Sequence, residues 1–170
     1  MKRVLFALVL STFFILVQPV QASEDIPHYT VIINQVRGRE CCDIGSLEAF
    51  ENQQIALQER ALPATFSIRY DVLRDPAFVA AIKRYPDFEY AALLEITPSL
   101  AAAAEVAYRG TDANWFEAQH VFLVGYSEGE RMALIDAYMA EFKEVFGSYP
   151  KTTNAWMIDP ISLRAHFKTS

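Results

Sequence analysis

The sequence predicts an α/β protein built on parallel strands, and more particularly the first half of a parallel (β/α) barrel. Segments with strand composition alternate four times with segments of helical periodicity. The central strand segments are apolar at consecutive positions, as strands covered on both faces require. A complete barrel has eight such units and typically takes ~250 residues, whereas this chain has 170. We therefore expect about four units of a truncated barrel.

The first unit begins with a β-branched run over residues 29 to 36, which predicts a strand that ends at Arg37 and Gly38. Ser46 is the predicted N-cap of the next helix, because apolar residues recur at helical spacing after it. Pro63 closes that helix, since proline cannot continue one.

The second and third units follow the same pattern. Residues 64 to 70 predict the second strand, and Asp75 followed by Pro76 predicts the cap and first residue of a short helix. Residues 88 to 96 predict the third strand. Residues 97 to 125 have no single periodicity, and we expect a long excursion with one or two short helices.

The fourth unit contains the clearest helix signal. Ser127 and Glu130 have the spacing of a capping box, and Gly147 supplies the C-terminal stop. Between them, apolar residues at three- and four-residue spacing predict a core-facing stripe: Met132, Ile135, Met139, Phe142 and Phe146. Residues 153 to 158 predict the fourth strand, and Asp159 precedes a proline that opens the last helix.

Residues 1 to 22 have the pattern of a secretory signal peptide. Lys2 and Arg3 precede an apolar run over residues 4 to 17, and small residues lead to a cleavage site after Ala22. The alternative is an uncleaved membrane anchor, but the run is shorter than the ~20 residues that span a bilayer. We expect a secreted or periplasmic protein with no stable membrane span after cleavage, in which residues 23 to 170 form the N-terminal part of the barrel domain.

The composition excludes several classes of protein and site. A net charge of −6 argues against a general nucleic-acid binder. The two adjacent cysteines, Cys41 and Cys42, exclude a disulfide framework, although their pairing stays open. None of the three histidines, at positions 28, 120 and 166, falls at the end of a predicted strand, so no histidine-based metal site and no cofactor is expected.

Polar residues collect at the predicted carboxyl ends of the strands, where parallel α/β folds bind their ligands. Glu95 and Asp159 are the candidate acid–base residues, because paired carboxylates can exchange protons with a substrate. Five further residues are candidates for substrate binding: Arg37, Arg69, Asp71, Trp115 and Trp156. The two tryptophans could stack on sugar rings.

Each candidate also has a structural interpretation. Asp71 and Asp159 could cap loops or helices, and Trp156 could belong to the core. Arg69 could pair with Glu95 or with Asp71. Glu95 follows a buried apolar run, so its carboxylate is expected to be either paired or functional.

Several segments resemble the polysaccharide deacetylase (NodB-type) domains of the glycoside hydrolase/deacetylase superfamily, in a divergent branch and over their N-terminal part. The segments are VRGRE, ATFSIRYD, LLEITPSLA, VFLVGYSEGER and YPKTTNAWMID. The resemblance implies a distorted (β/α) barrel that removes acyl groups from N-acetylated sugars with a divalent metal. It therefore implies an exported protein that acts on a cell-surface or extracellular polysaccharide by hydrolysis of an N-acyl or glycosidic bond.

The sequence departs from that family at its signature positions. Residues 34 to 37, Asn-Gln-Val-Arg, lack the two aspartates that family members carry after the first strand. Residues 97 to 101 lack the two histidines of the second family signature. Residues 155 to 158, at the place of the third signature, lack the residues of that signature. A divalent metal would need ligands outside this chain. The alternative function is therefore a non-catalytic carbohydrate-binding or scaffold domain. Under either function, four β/α units leave two sheet edges unpaired, so we expect self-association through these edges.

Overall fold

Four short parallel strands form one sheet, in which each strand pairs with the next one along the chain. The strands are Ile33–Val36 (β1), Thr65–Ile68 (β2), Glu89–Leu93 (β3) and Thr153–Asn154 (β4). Parallel neighbours need crossover connections, and here every connection contains helices. The predicted parallel α/β class is therefore confirmed.

The structure, a computed structural model, describes residues 30–42 and 45–169. The predicted signal peptide, His28 and the side chains of Cys41, Cys42 and His166 lie outside this description. The chain divides into two units, Met1–Thr30 and Val31–Ser170, and the fold described here is that of the second.

Helices of very different length fill the connections. They are Arg39–Cys42 (α1), Ser46–Glu59 (α2), Tyr70–Arg74 (α3), Pro76–Arg84 (α4), Pro98–Ala103 (α5), Ala118–Val121 (α6), Glu128–Phe146 (α7) and Pro160–Thr169 (α8), with a 3-10 turn at Leu123–Gly125. The predicted excursion over residues 97 to 125 thus contains two short helices and this turn. Within the described residues, no helix has the length and apolar character needed to cross a membrane.

Several predicted boundaries are wrong. The first three strands, predicted at residues 29 to 36, 64 to 70 and 88 to 96, are shorter than predicted, and two further boundaries have a clear backbone cause. The N-cap of α2 is Gly45, with a left-handed φ of 68°, and Ser46 is the first helical residue. A glycine adopts that backbone conformation without strain, so the chain enters the helix one residue earlier than a serine cap would place it. The fourth strand is Thr153–Asn154 rather than residues 153 to 158, and the positive φ of Met157 shows that the chain has turned away from the sheet.

The longest helix, α7, is close to its prediction. The Ser127 backbone N–H donates to the Glu130 carboxylate at 2.7 Å, and Gly147 ends the helix with a φ of 75°. All five residues of the predicted stripe take part in the hydrophobic core or pack against it. The core also includes Leu134 and Tyr138, which the stripe does not contain.

The two faces of the sheet differ in character. Phe66 and Ile68 of β2 lie on the face that the helices cover, within the hydrophobic core. Because strand side chains alternate between faces, the opposite face carries Gln35, Ser67 and Ala91 side by side in register. Arg37 and Arg69 are the next residues in that alternation. The sheet therefore directs two arginines to the carboxyl edge of its more polar face.

Candidate functional site

Four charged side chains meet at the carboxyl ends of β1, β2 and β3. Arg37 follows β1, Arg69 and Asp71 follow β2, and Glu95 follows β3. Arg69, Asp71 and Glu95 are almost fully buried, with 1%, 6% and 2% of their surface exposed. We call these four residues the charged cluster. They are four of the seven candidate residues predicted from the sequence.

Glu95 is held by both arginines of the cluster. Arg37 donates to its two carboxylate oxygens, from Nε at 2.7 Å and from Nη2 at 2.5 Å. Arg69 Nη1 lies 3.9 Å from Glu95 Oε2. The hydrogen bond to Glu95 is the main cause that raises the pKa of Arg37. The carboxylate of Glu95 is thus a bridge between two guanidinium groups.

Asp71 fixes the other side of Arg69. Arg69 donates to Asp71 through Nε at 2.8 Å and Nη2 at 2.7 Å, in a bidentate pair. Asp71 also accepts from the backbone N–H groups of Gly38 at 3.4 Å and Glu40 at 3.1 Å. The segment after β1, which leads into α1, is therefore tied to the start of α3, the segment after β2. Both structural interpretations of Arg69, a pair with Glu95 or with Asp71, apply at once.

Gly38 shows how closely these two segments approach each other. A Cβ atom at this position would lie 2.6 Å from Asp71 Oδ2, nearer than side-chain atoms come in proteins. Asp71 cannot retreat easily, because Arg69 and two backbone N–H groups hold its carboxylate. Glycine is required here for space, and this is a signal that the sequence alone does not reveal.

A cavity of about 350 Å³ opens beside the charged cluster, and Asp71 lies in its wall. We call it the edge cavity. Its lining residues are Arg39, Glu40, Asp71, Arg74, Asp75, Pro76 and Ser99. The Ser99 backbone N–H donates to Glu40 Oε2 at 3.3 Å, which joins α5 to the segment after β1. The cluster and this cavity together form the candidate site.

Tyr108 belongs to the surroundings of the site, although no sequence pattern predicts it there. Burial raises the pKa of Tyr108, while the charge of Arg69 lowers it and that of Glu40 raises it. The charges of the site therefore act on this phenol. Tyr108 follows α5 within the irregular excursion, so no periodicity or cap places it at the strand ends.

The two tryptophans have different positions. Trp156 is 52% exposed just after β4, so it is a surface residue and not part of the core. Trp115 is half-buried and makes an edge contact with Phe116. A Cβ on Gly110 would lie 2.7 Å from the Tyr108 hydroxyl and 3.2 Å from Trp115 Cα. The segment of Trp115 therefore packs beside Tyr108.

Asp159 serves as a helix cap. Its Oδ1 accepts from the backbone N–H groups of Ile161 at 2.9 Å and Ser162 at 3.1 Å, at the start of α8. Its Oδ2 lies 2.8 Å from Arg131 Nη1 on α7. Burial opposes ionisation, but the hydrogen bonds from Ser162 and Ile161 and the charge of Arg131 lower the pKa of Asp159 to about 2. These contacts agree with the interpretation of Asp159 as a helix cap.

The residues present do not fit the divalent metal that the family resemblance implies. The position after β1 holds Arg37, whose guanidinium covers the Glu95 carboxylate, and Arg69 adds a second positive charge. Two adjacent guanidinium groups repel a cation and already use the oxygen ligands that it would need. In the described part of the chain, no group of three His, Cys, Asp or Glu residues is arranged to hold a metal.

The contacts of His120 are with residues outside the charged cluster. Its Nδ1 lies 2.9 Å from the backbone oxygen of Asn114, and the Glu117 carboxylate lies 3.8 Å away. These contacts organise the loop before α7.

Comparison of the chain with models of known protein families, with curated proteins and with solved structures yields no match in any of the three.

Proposed function

We propose that this chain is an exported polysaccharide-binding protein, with the charged cluster and the edge cavity as its binding site. The observation that carries this proposal is that both candidate acid–base carboxylates are paired with other groups of the chain. Glu95 bridges two arginines, and Asp159 caps a helix and pairs with Arg131. A general acid or base must exchange its proton with a substrate, and neither carboxylate is free to do so. Recognition therefore accounts for the geometry better than hydrolysis does.

The location and chemistry of the site support a hydroxyl-rich ligand. Parallel α/β sheets bind ligands at the carboxyl ends of their strands, and both the cluster and the cavity lie there. Guanidinium, carboxylate and hydroxyl groups together offer the donors and acceptors that sugar hydroxyls require. The resemblance to polysaccharide deacetylases supports the same ligand class, and residues 1 to 22 support export.

The barrel is part of the same proposal. The strand order follows the chain from β1 to β4 without a switch, as it does in the first half of a (β/α) barrel. Doubly wound sheets change direction at a switch point, which this order lacks. The sequential order thus favours a half-barrel over a doubly wound fold.

Hydrolysis of an N-acyl or glycosidic bond is the second candidate function. It is favoured by the most exposed member of the cluster, Arg37, whose side chain is 34% exposed. A substrate that drew Arg37 away would uncover Glu95, a buried carboxylate at a strand end. Under this candidate, Glu95 would act as the acid–base residue and Arg69 would orient it.

Titration calorimetry of the full chain with N-acetylglucosamine oligosaccharides, with mass spectrometry of the mixture, separates the two candidates. We expect saturable binding and intact sugar. Released acetate or shortened chains would instead establish hydrolysis. Failure to bind any of a panel of neutral, cationic and anionic polysaccharides would overturn the proposed function itself.

A further inference from the structure

We infer that the edge cavity takes a cationic group, and that the polysaccharide preferred by this site carries free amino groups. Glu40 is the residue that pairs with the ammonium. This inference rests on the proposed function and names the ligand class for the same site. The inference follows from the pairing of the charged residues that line the cavity.

The wall of the cavity carries two arginines and three carboxylates. Arg39 Nε lies 2.8 Å from Asp75 Oδ2, and Arg74 Nη1 lies 3.0 Å from Glu141 Oε2. Asp71 is neutralised by Arg69 at 2.7 Å. Four of the five charged residues of the wall therefore have partners of opposite sign.

Glu40 is the carboxylate that is left. Among the residues that the structure describes, it has no arginine, lysine or histidine partner, and its Oε2 accepts from the Ser99 backbone N–H at 3.3 Å. Its own backbone N–H donates to Asp71 at 3.1 Å, so its position is tied to the buried part of the site. Glu40 is exposed and lines the cavity, where a ligand can reach it.

The charge of Glu40 acts on two tyrosines of the site. Burial is the main cause that raises the pKa of both Tyr70 and Tyr108, and the charge of Glu40 adds to the rise in each. An unpaired carboxylate binds an ammonium group through a charge-assisted hydrogen bond, which is stronger than its hydrogen bond to a neutral hydroxyl. The surroundings of Glu40 thus suit an amine better than a neutral hydroxyl.

The same charges disfavour an acidic sugar. A carboxylate or sulfate on the ligand would approach Glu40 and would find Arg39 and Arg74 already paired. The chain as a whole is also negative, with a net charge of −6. Like charges repel, and the repulsion is greatest at low salt. We therefore expect affinity to rank glucosamine polymers first, N-acetylglucosamine polymers second and uronic acid polymers last.

The test is calorimetric binding of three oligosaccharides of equal length to the full chain, below the pKa of the sugar amine. The three probes are a glucosamine oligomer, an N-acetylglucosamine oligomer and a galacturonate oligomer. We expect the Glu40→Gln variant to lose about two- to five-fold of the affinity for the glucosamine oligomer, the effect of losing an exposed ion pair. Its affinity for the N-acetylated oligomer should fall by a smaller factor, because that ligand has no ammonium group to pair with Glu40.

The matched control is Glu59→Gln, which makes the same change at the C-terminal end of α2, an end that leads to the opposite edge of the sheet. Equal affinity of the wild-type chain for the glucosamine and N-acetylglucosamine oligomers would overturn this inference and leave the proposed function standing. Tightest binding of the galacturonate oligomer would also overturn it. Binding of none of the three would contradict the proposed function.

Discussion

At the scale of single residues, the site depends on charges that neutralise one another. Glu95 and Arg69 are almost fully buried, and an unpaired charge at either position would be costly. Arg37 closes the cluster from the solvent side with a bidentate contact to Glu95. These pairings explain how the buried apolar run of residues 91 to 94 can be followed directly by a buried carboxylate.

Glu95→Gln tests this interpretation by removing the charge and keeping the shape. Arg69 would lose one of its two neutralising carboxylates in a buried position, so the free energy of unfolding should fall by about 2–4 kcal/mol. Urea denaturation of the wild-type and variant chains measures the difference. An unchanged midpoint would show that Glu95 has no structural role and would favour the catalytic candidate.

Gly38→Ala tests the close approach of Gly38 to Asp71 at the start of α3. The new Cβ would lie 2.6 Å from the Asp71 carboxylate, and relieving the contact should cost about 1–3 kcal/mol. Gly129→Ala is the control, because a Cβ there meets nothing within 4 Å and alanine favours the helix. Equal stability of the two variants in thermal denaturation would refute the steric argument.

At the scale of elements, the sequence predicts which segments are strands and helices better than where they end. The capping box of Ser127 and the stop at Gly147 are local signals, so α7 has the predicted limits. Ser46 is a good cap by type, but Gly45 takes that role because its backbone conformation decides where the helix begins. The ion pair of Arg37 with Glu95 joins residues 58 apart, and only the sheet register brings them together.

The start of α8 makes a pH-dependent contribution to stability. The pKa of Asp159 is lowered to about 2 in the folded chain, below its usual value of about 3.9 when unfolded. Its contribution is therefore present above pH 4 and is lost as the pH falls towards 2. We expect Asp159→Asn to be less thermally stable than the wild-type chain near neutral pH. This difference in stability should become smaller as the pH falls towards 2. A constant difference between pH 7 and pH 2 would contradict this.

At the scale of the whole molecule, the sheet has β1 as an outer strand. Ile33 of this strand is 48% exposed, and Val31 and Ile32 before it are also exposed. An exposed apolar edge strand invites pairing with another copy of the chain. The half-barrel prediction and this exposed edge point to the same behaviour, which is self-association.

Sedimentation velocity of residues 23 to 170 at increasing concentration tests this expectation. We expect the average mass to rise with concentration, and Ile33→Lys to reduce the rise, because a charge on an edge strand opposes pairing. Ile55→Lys is the control, since Ile55 is a similarly exposed isoleucine on α2. A strictly monomeric wild-type chain with a sharp thermal transition would refute the half-barrel argument.

The most direct test of the central claim is hydrogen–deuterium exchange of the full chain with and without an amino sugar oligosaccharide. A second cavity of about 390 Å³, lined by aromatic residues such as Phe88, Phe142 and Tyr149, lies at the opposite end of β3 and provides an internal comparison. We predict that the ligand slows exchange in residues 37 to 42 and 95 to 103, at the carboxyl edge. Protection confined to residues 86 to 90 and 146 to 151, or none, would contradict the claim that the charged cluster and edge cavity form the binding site.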